Sequence, residues 1–221
     1  MKKPFFILNL ILLAMIIPLD ICYMTIGGLW LKGLASSIFV LTGIVNLVYA
    51  IKNKADLKYP IWLVVGLVFG MAGDISLNLN FMVGAIVFAI GHVFYFVAYT
   101  MLQKFSIKDL IWSASIFVPS ALIIILMPFL NYDPSMMMYL CIVYALVISC
   151  MVGKAASNFV KNKNITNLII LIGSILFFIS DMMLLFNVFG GLKICDYFCL
   201  ASYYPAQYLI AFSSFVFTNK K

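Results

Sequence analysis

Residues 59–78 read YPIWLVVGLVFGMAGDISLN, and this stretch decides the fold class of the chain. Its apolar part is about as long as an α-helix needs to be to cross a bilayer, which is about 20 residues. Comparable apolar runs recur along the chain and do not alternate apolar with polar residues, as barrel strands do. Because lipid cannot satisfy open backbone groups, we interpret these runs as transmembrane helices.

The whole chain has the composition of a polytopic membrane protein. Its 221 residues are 66% hydrophobic and only 10% charged, whereas soluble proteins carry about 25% charged residues. We therefore predict an all-α fold, a polytopic transmembrane bundle of eight helices, as a single integral membrane domain over residues 1–221. The helices are expected at 4–23, 33–51, 59–78, 81–103, 109–130, 135–158, 165–188 and 196–217. The fifth would then contain Pro119 and Pro128.

The lysines predict the orientation of these helices. Lys32 and Lys193 fall on one side of the membrane, which leaves 12 of the 14 positive residues on the other. Since positive residues favour the cytoplasm, we expect both termini there. The lysines are spread over loops and form no dense patch, which argues against nucleic-acid binding. A composition rich in Lys, Asn and Ile without Arg or Glu favours a bacterial source, and hence the plasma membrane.

Asp74 and Asp181 are the residues least expected in such a chain. Counted from the ends of their helices at about 1.5 Å per residue, both fall inside the membrane, nearer its outer face. An ionisable residue there is costly and usually faces the bundle interior or a wet cavity. The alternative is a structural hydrogen bond or a helix end that reaches the headgroups.

A weak internal repeat connects the two aspartates. Gly66 and Asp74 in the third helix recur as Gly173 and Asp181 in the seventh, at the same spacing. The two helices are four apart in order, so both copies would point the same way, as in a parallel 4+4 repeat. Gly70 shares a face with Asp74, and such small residues let a neighbouring helix or a ligand approach closely.

Other polar side chains inside the predicted helices are candidates to support the aspartates. His92 shares a face with Tyr95, and it could act directly or be only a structural hydrogen-bonding group. Gln207 is too deep for the headgroup layer, which favours a cavity lining. Lys32 could snorkel to the headgroups, bind a phosphate or pair with an aspartate.

Several chemistries find no motif in this sequence. Zinc-type cysteine pairs, zinc-protease motifs, serine-hydrolase elbows and P-loops do not occur. One histidine without any glutamate is a poor basis for a zinc site, so we predict neither a metal nor an organic cofactor. Cys22, Cys195 and Cys199 fall near the same outer level, where a disulfide or free thiols are both possible.

Two short signatures resemble those of the YhhN-like lysoplasmalogenase family. The first is GDISL at 73–77 followed by GHVFY at 91–95; the second is GSILFF at 173–178 with Ser180 and Asp181, followed by YYPAQ at 203–207. Lys32 precedes a glycine where the family has a proline. In the number and order of its helices, the resemblance extends over nearly the whole chain.

The resemblance implies eight membrane helices and hydrolysis of the vinyl ether bond of lysoplasmalogens, with a lysophospholipid of the bilayer as substrate. Asp74 and Asp181 correspond to the presumed catalytic pair. Such a bond breaks when an acid protonates its carbon, and an anion must stabilise the resulting cation, so two carboxyl groups suffice. The candidate substrate-binding or supporting residues are Lys32, Asn78, His92, Tyr95, Tyr204 and Gln207.

Two other classes of function fit the same residues. Parallel repeats, proline-interrupted helices and intramembrane aspartates also suit a proton-coupled transporter of small molecules or lipids. A lipid-binding membrane protein without catalysis is the third possibility. Aldehyde release from a lysoplasmalogen separates the hydrolase from both.

Overall fold

The computed structural model describes residues 2–219 and confirms the all-helical fold. Within that range the chain forms eight helices and no strand. They are α1 Lys2–Ile26, α2 Leu29–Lys52, α3 Lys58–Leu79, α4 Phe81–Leu102, α5 Ile107–Leu126, α6 Met136–Lys161, α7 Ile165–Val188 and α8 Ile194–Thr218. Lys220 and Lys221, counted above on the cytoplasmic side, lie outside the described residues.

The helix ends differ from the predicted ones by at most four residues, and two of these shifts matter. α2 begins at Leu29, which places Lys32 in its first turn. α5 ends at Leu126, so the prediction that Pro128 lies within the fifth helix is wrong. Met127 is extended, with φ −73° and ψ 117°, because the residue before a proline avoids the helical region.

α8 occupies the interior of the bundle. Among the described residues, seven helices are long and apolar enough to cross a membrane, and α8 is not one of them. It packs against α1, α2, α3 and α7, and its polar side chains, such as Gln207 and Ser214, are buried there. The polarity that lowers its hydropathy therefore faces other helices. The bundle is multi-pass; the orientation of its ends and the 4+4 repeat stay predictions.

An ion cluster joins α5 to α6 at the end that we predict to be cytoplasmic. We call it the inner cluster, and its members are Ser106, Asp109, Lys154, Ser157 and Lys161. Asp109 receives Lys154 Nζ at 2.8 Å and Lys161 Nζ at 2.6 Å. Ser157 donates to it, and Ser106 forms a capping box with it at the start of α5. A buried charge with this many donors is well compensated.

Candidate active site

Asp74 and Asp181 line the same cavity. It lies where α2 and α8 begin and where α3 and α7 end, and the space between its walls, part of which is open to the surroundings, is about 440 Å³. Its wall also contains Lys32, Tyr203 and Asp196, and we call it the polar cavity. The two carboxylates that the sequence singled out on different helices are thus brought to one chamber.

Asp74 sits among hydrogen-bond donors. Its Oδ2 accepts from the Ser36 hydroxyl at 2.5 Å and from the Tyr203 hydroxyl at 2.7 Å. Lys32 Nζ lies 3.6 Å from its Oδ1, and both side chains are buried. Of the three roles considered for Lys32, the structure supports pairing with an aspartate. An ionised carboxylate only accepts hydrogen bonds, so this surrounding suits the anion.

A second layer of hydrogen bonds holds Tyr203 in place. Gln207 Nε2 donates to the Tyr203 hydroxyl at 3.2 Å, and the Tyr95 hydroxyl donates to Gln207 Oε1 at 2.6 Å. The expectation that Gln207 lines the cavity is wrong, because it is fully buried behind Tyr203 and is not part of the wall. Gln207 and Tyr95 act on Asp74 only through Tyr203.

The glycines of α3 make room for this second layer. A Cβ built on Gly70 would lie 2.6 Å from Gln207 Nε2, and one on Gly66 would lie 2.5 Å from the Tyr95 ring. Neither distance leaves space for a side chain. The glycines that precede Asp74 by one and two helical turns thus leave room for Tyr95 from α4 and Gln207 from α8.

Asp181 has a different set of neighbours. The Tyr144 hydroxyl donates to its Oδ2 at 2.8 Å. His92 Nε2 lies 2.9 Å from that hydroxyl and 3.4 Å from the same carboxylate oxygen. His92 is completely buried, whereas the Asp181 side chain is 14% exposed. Because Tyr144 donates to the aspartate and can accept from His92, a proton can be passed along these three groups.

A second, apolar pocket adjoins the polar cavity at Asp181. The space between its walls, part of which is open to the surroundings, is about 630 Å³ and lies between α4, α5, α6 and α7. Asp181 is the one charged residue in its wall. Leu77, Phe88 and Leu184 line both chambers. We call it the apolar pocket. Asp181 therefore stands at the boundary between a polar and an apolar compartment.

Two further predicted residues, like Tyr95 and Gln207, do not reach either carboxylate with their side chains. Asn78 Nδ2 donates to the backbone carbonyl of Asp74 at 2.9 Å, a bond within α3, and the residue is exposed. Tyr204 is buried beside Tyr203, with ring centroids 5.0 Å apart. Tyr204 thus contributes packing next to the residue that binds Asp74.

Besides Tyr203, which the sequence offered only as part of the YYPAQ signature, three residues of the site were missed from the sequence. Ser36 follows Lys32 by one helical turn, and that spacing was a usable signal. Asp196 is an acidic residue in the first turn of α8, where it reads as an ordinary helix start. Tyr144 lies in an apolar run of α6, and no local pattern distinguishes it.

The cysteines are free. In the described chain no cysteine is paired, and Cys195 and Cys199 are both buried. The disulfide considered above is therefore not formed. Cys199 lines the polar cavity and lies 3.4 Å from the Ser180 hydroxyl.

Comparison with known proteins adds one match. The model of the YhhN family matches residues 34–214. No curated protein and no solved structure matches the chain. The matched range contains Asp74, Asp181, His92 and Tyr144, and it begins two residues after Lys32.

Proposed function

The chain belongs to the YhhN family, and we propose that it is a membrane hydrolase that cleaves the vinyl ether bond of lysoplasmalogens, in the plasma membrane of a bacterium. The products are a fatty aldehyde and a glycerophospho-base. One observation carries this proposal: Asp181 lies where the polar cavity meets the apolar pocket, and Asp74 lines the same polar cavity.

A lysoplasmalogen has one apolar part and one polar part, which match the apolar pocket and the polar cavity. Its alkenyl chain is apolar, its headgroup is charged, and the vinyl ether lies where the two join. Placing the chain in the apolar pocket and the headgroup in the polar cavity brings the vinyl ether next to Asp181. The match of polarity thus supports both the substrate class and the position of the bond to be broken.

In the first step, Asp181 acts as the general acid. Its carboxyl group gives a proton to the alkenyl carbon that is not bonded to oxygen, and the remaining carbon–oxygen unit becomes an oxocarbenium ion. The acid must face the hydrocarbon side of the bond, and Asp181 is the charged residue on that side. Proton transfer of this kind contributes a rate factor of about 10²–10⁴.

In the second step, water captures the cation. Asp74 stabilises the positive charge from a fixed position, since Ser36 and Tyr203 hold its carboxylate. Water adds to the cationic carbon and returns a proton to Asp181, which restores the acid. The hemiacetal then collapses to the aldehyde and the free glycerol hydroxyl, so that one water is consumed for each bond broken.

The neighbouring groups support these two steps. His92 and Tyr144 hold Asp181 by one oxygen and so fix the position of the acid. Lys32 faces the polar cavity next to Asp74, where it can contact the substrate phosphate. No cofactor is needed for the sequence of bonds made and broken.

The test is aldehyde release by the purified protein in detergent. Lysoplasmenyl-ethanolamine should yield a fatty aldehyde. The saturated ether analogue should not, because it has no carbon–carbon double bond to protonate. Asp74→Asn and Asp181→Asn should each lose most of the activity. Asp133→Asn is the matched control, since Asp133 is exposed and lines neither chamber. Full activity in either buried variant would contradict the mechanism.

The same protein in proteoliposomes separates the other classes. Proton-coupled accumulation of intact lipid without aldehyde would favour a transporter, for which the His92–Tyr144–Asp181 chain could carry protons. Binding without turnover or transport, unchanged in both asparagine variants, would favour a non-catalytic lipid-binding protein.

A further inference from the structure

The polar cavity has a carboxylate at its mouth that the proposed reaction does not use. Asp196 lies in the first turn of α8, is exposed and lines the cavity. Asn187 Nδ2, at the end of α7, donates to its Oδ1 at 3.2 Å. Asp196 is thus held between two helices at the entrance, while Asp74 and Asp181 lie further inside.

The charges of the cavity wall are unbalanced. With Asp181 protonated, as its role as general acid requires, Asp74 and Asp196 are the two anionic residues of the wall and Lys32 is its one cationic residue. Lys32 also lies over the Tyr23 ring, 5.5 Å from its centroid. A headgroup that carries only phosphate would enter a chamber with an excess of negative charge. A headgroup that also carries an ammonium group would offset that excess, because a cavity lined by one sign of charge attracts the opposite sign.

We propose that Asp196 binds the cationic base of the substrate headgroup and so makes the enzyme selective for amine-bearing lysoplasmalogens. This inference rests on the proposed hydrolase function. Lys32 contacts the phosphate, and Asp196 contacts the ammonium group that follows it in the headgroup. The exposed position of Asp196 suits the end of the lipid that stays nearest to water.

An acidic residue in the first turn of a helix also stabilises that helix through its dipole. The two roles have different consequences. Loss of a helix-stabilising charge would affect every substrate equally, because it acts on the protein alone. Loss of an ammonium partner would affect only the substrates that carry the ammonium group.

The experiment compares KM and kcat for two phosphodiester lipids that differ only in the amine: lysoplasmenyl-ethanolamine and 1-alkenyl-glycero-3-phosphoethanol. The wild type should have the lower KM for the ethanolamine lipid. Asp196→Asn should raise that KM about fivefold at unchanged kcat, the size expected for one partly exposed ion pair. The KM for the phosphoethanol lipid should stay the same or fall.

Asp133→Asn is the matched control, because it removes the same charge from an exposed position outside the cavity. An equal KM of the wild type for the two lipids, or an equal change for both in Asp196→Asn, would overturn the inference and leave the hydrolase function standing. Aldehyde from neither lipid would overturn the hydrolase function and this inference with it.

Discussion

The polar cavity and the inner cluster both hold a buried aspartate beside a lysine, yet they differ in how many lysines pair with the carboxylate and how closely. Asp109 receives two lysines at 2.6 and 2.8 Å, whereas Asp74 has one at 3.6 Å. Neither chamber reaches Asp109, and one of them opens onto Asp74. A buried carboxylate therefore becomes a candidate for chemistry when its surroundings leave room for a substrate, and burial alone does not make it one.

The largest expected effect is a loss of kcat, from a substitution in the polar cavity. Asp181→Asn should lower kcat by about 10²–10⁴, because an amide cannot donate the proton that general acid catalysis supplies. The thermal midpoint in detergent should hardly change, since the shape is kept and Tyr144 can still donate to the remaining oxygen. Aldehyde release measures kcat, and a thermal melt measures the midpoint. A large loss of thermal stability with normal kcat would make Asp181 structural.

Asp109→Ala should show the opposite behaviour. It leaves Lys154 buried without its carboxylate, and losing one partner of a buried pair destabilises a protein by about 3 kcal/mol or more. The Lys104 carbonyl, 3.1 Å from Lys154 Nζ, should keep the cost near the lower value. Denaturant unfolding in detergent gives this free energy. Asp133→Ala, at an exposed loop position, is the control.

The activity of the folded Asp109→Ala protein sharpens the comparison further. Its kcat per folded molecule should match the wild type, since the inner cluster contacts neither chamber. A selective loss of kcat without a loss of stability would show that the two regions are coupled.

Two tyrosines separate the roles of Asp74 and Asp181. Tyr144→Phe should lower kcat about tenfold, because it removes the hydroxyl that donates to Asp181 and connects it to His92. Tyr203→Phe should lower kcat about threefold, since Asp74 keeps its bond from Ser36. Steady-state rates of both variants provide the measurement. The reverse order would favour Asp74 as the proton donor.

The smallest effect is expected at the rim of the inner cluster. Lys161→Met should cost under about 1 kcal/mol of stability, because the Lys161 side chain is 29% exposed and solvent screens such pairs. Lys163→Met, in the loop after α6, is the matched control. A loss of stability as large as that of Asp109→Ala would mean that Lys161 provides most of the stabilisation of the inner cluster.

Hydropathy was enough to predict the first seven helices, because each of their apolar runs is as long as the membrane requires; α8 was predicted although it is more polar than the others. Hydropathy misplaced the end of α5, where the backbone preference before Pro128 overrides an apolar sequence. It also identified Asp74, Asp181, Lys32 and His92 as anomalies that a lipid environment would not tolerate without partners.

The partners themselves could not be predicted from one sequence. Helical periodicity says which residues share a face, but it does not say how a helix is rotated against its neighbours. Tyr144 reaches Asp181 because of the rotation of α6, and Gln207 falls behind Tyr203 because of the rotation of α8. The inner cluster was missed for a similar reason: Lys154 looked like one more cytoplasmic lysine, and only the packing of α5 on α6 buries it.

The polarity of α8 has a consequence for how the protein is made. The more polar a segment is, the more its insertion into the membrane depends on protein partners when it leaves the translocation channel. Its neighbours α1, α2, α3 and α7 precede it in the chain, so they are already synthesised when α8 emerges. We therefore expect membrane insertion of α8 to be cooperative with the earlier helices. The insertion of α8 would then also be the step that adds Tyr203 and Asp196 to the polar cavity.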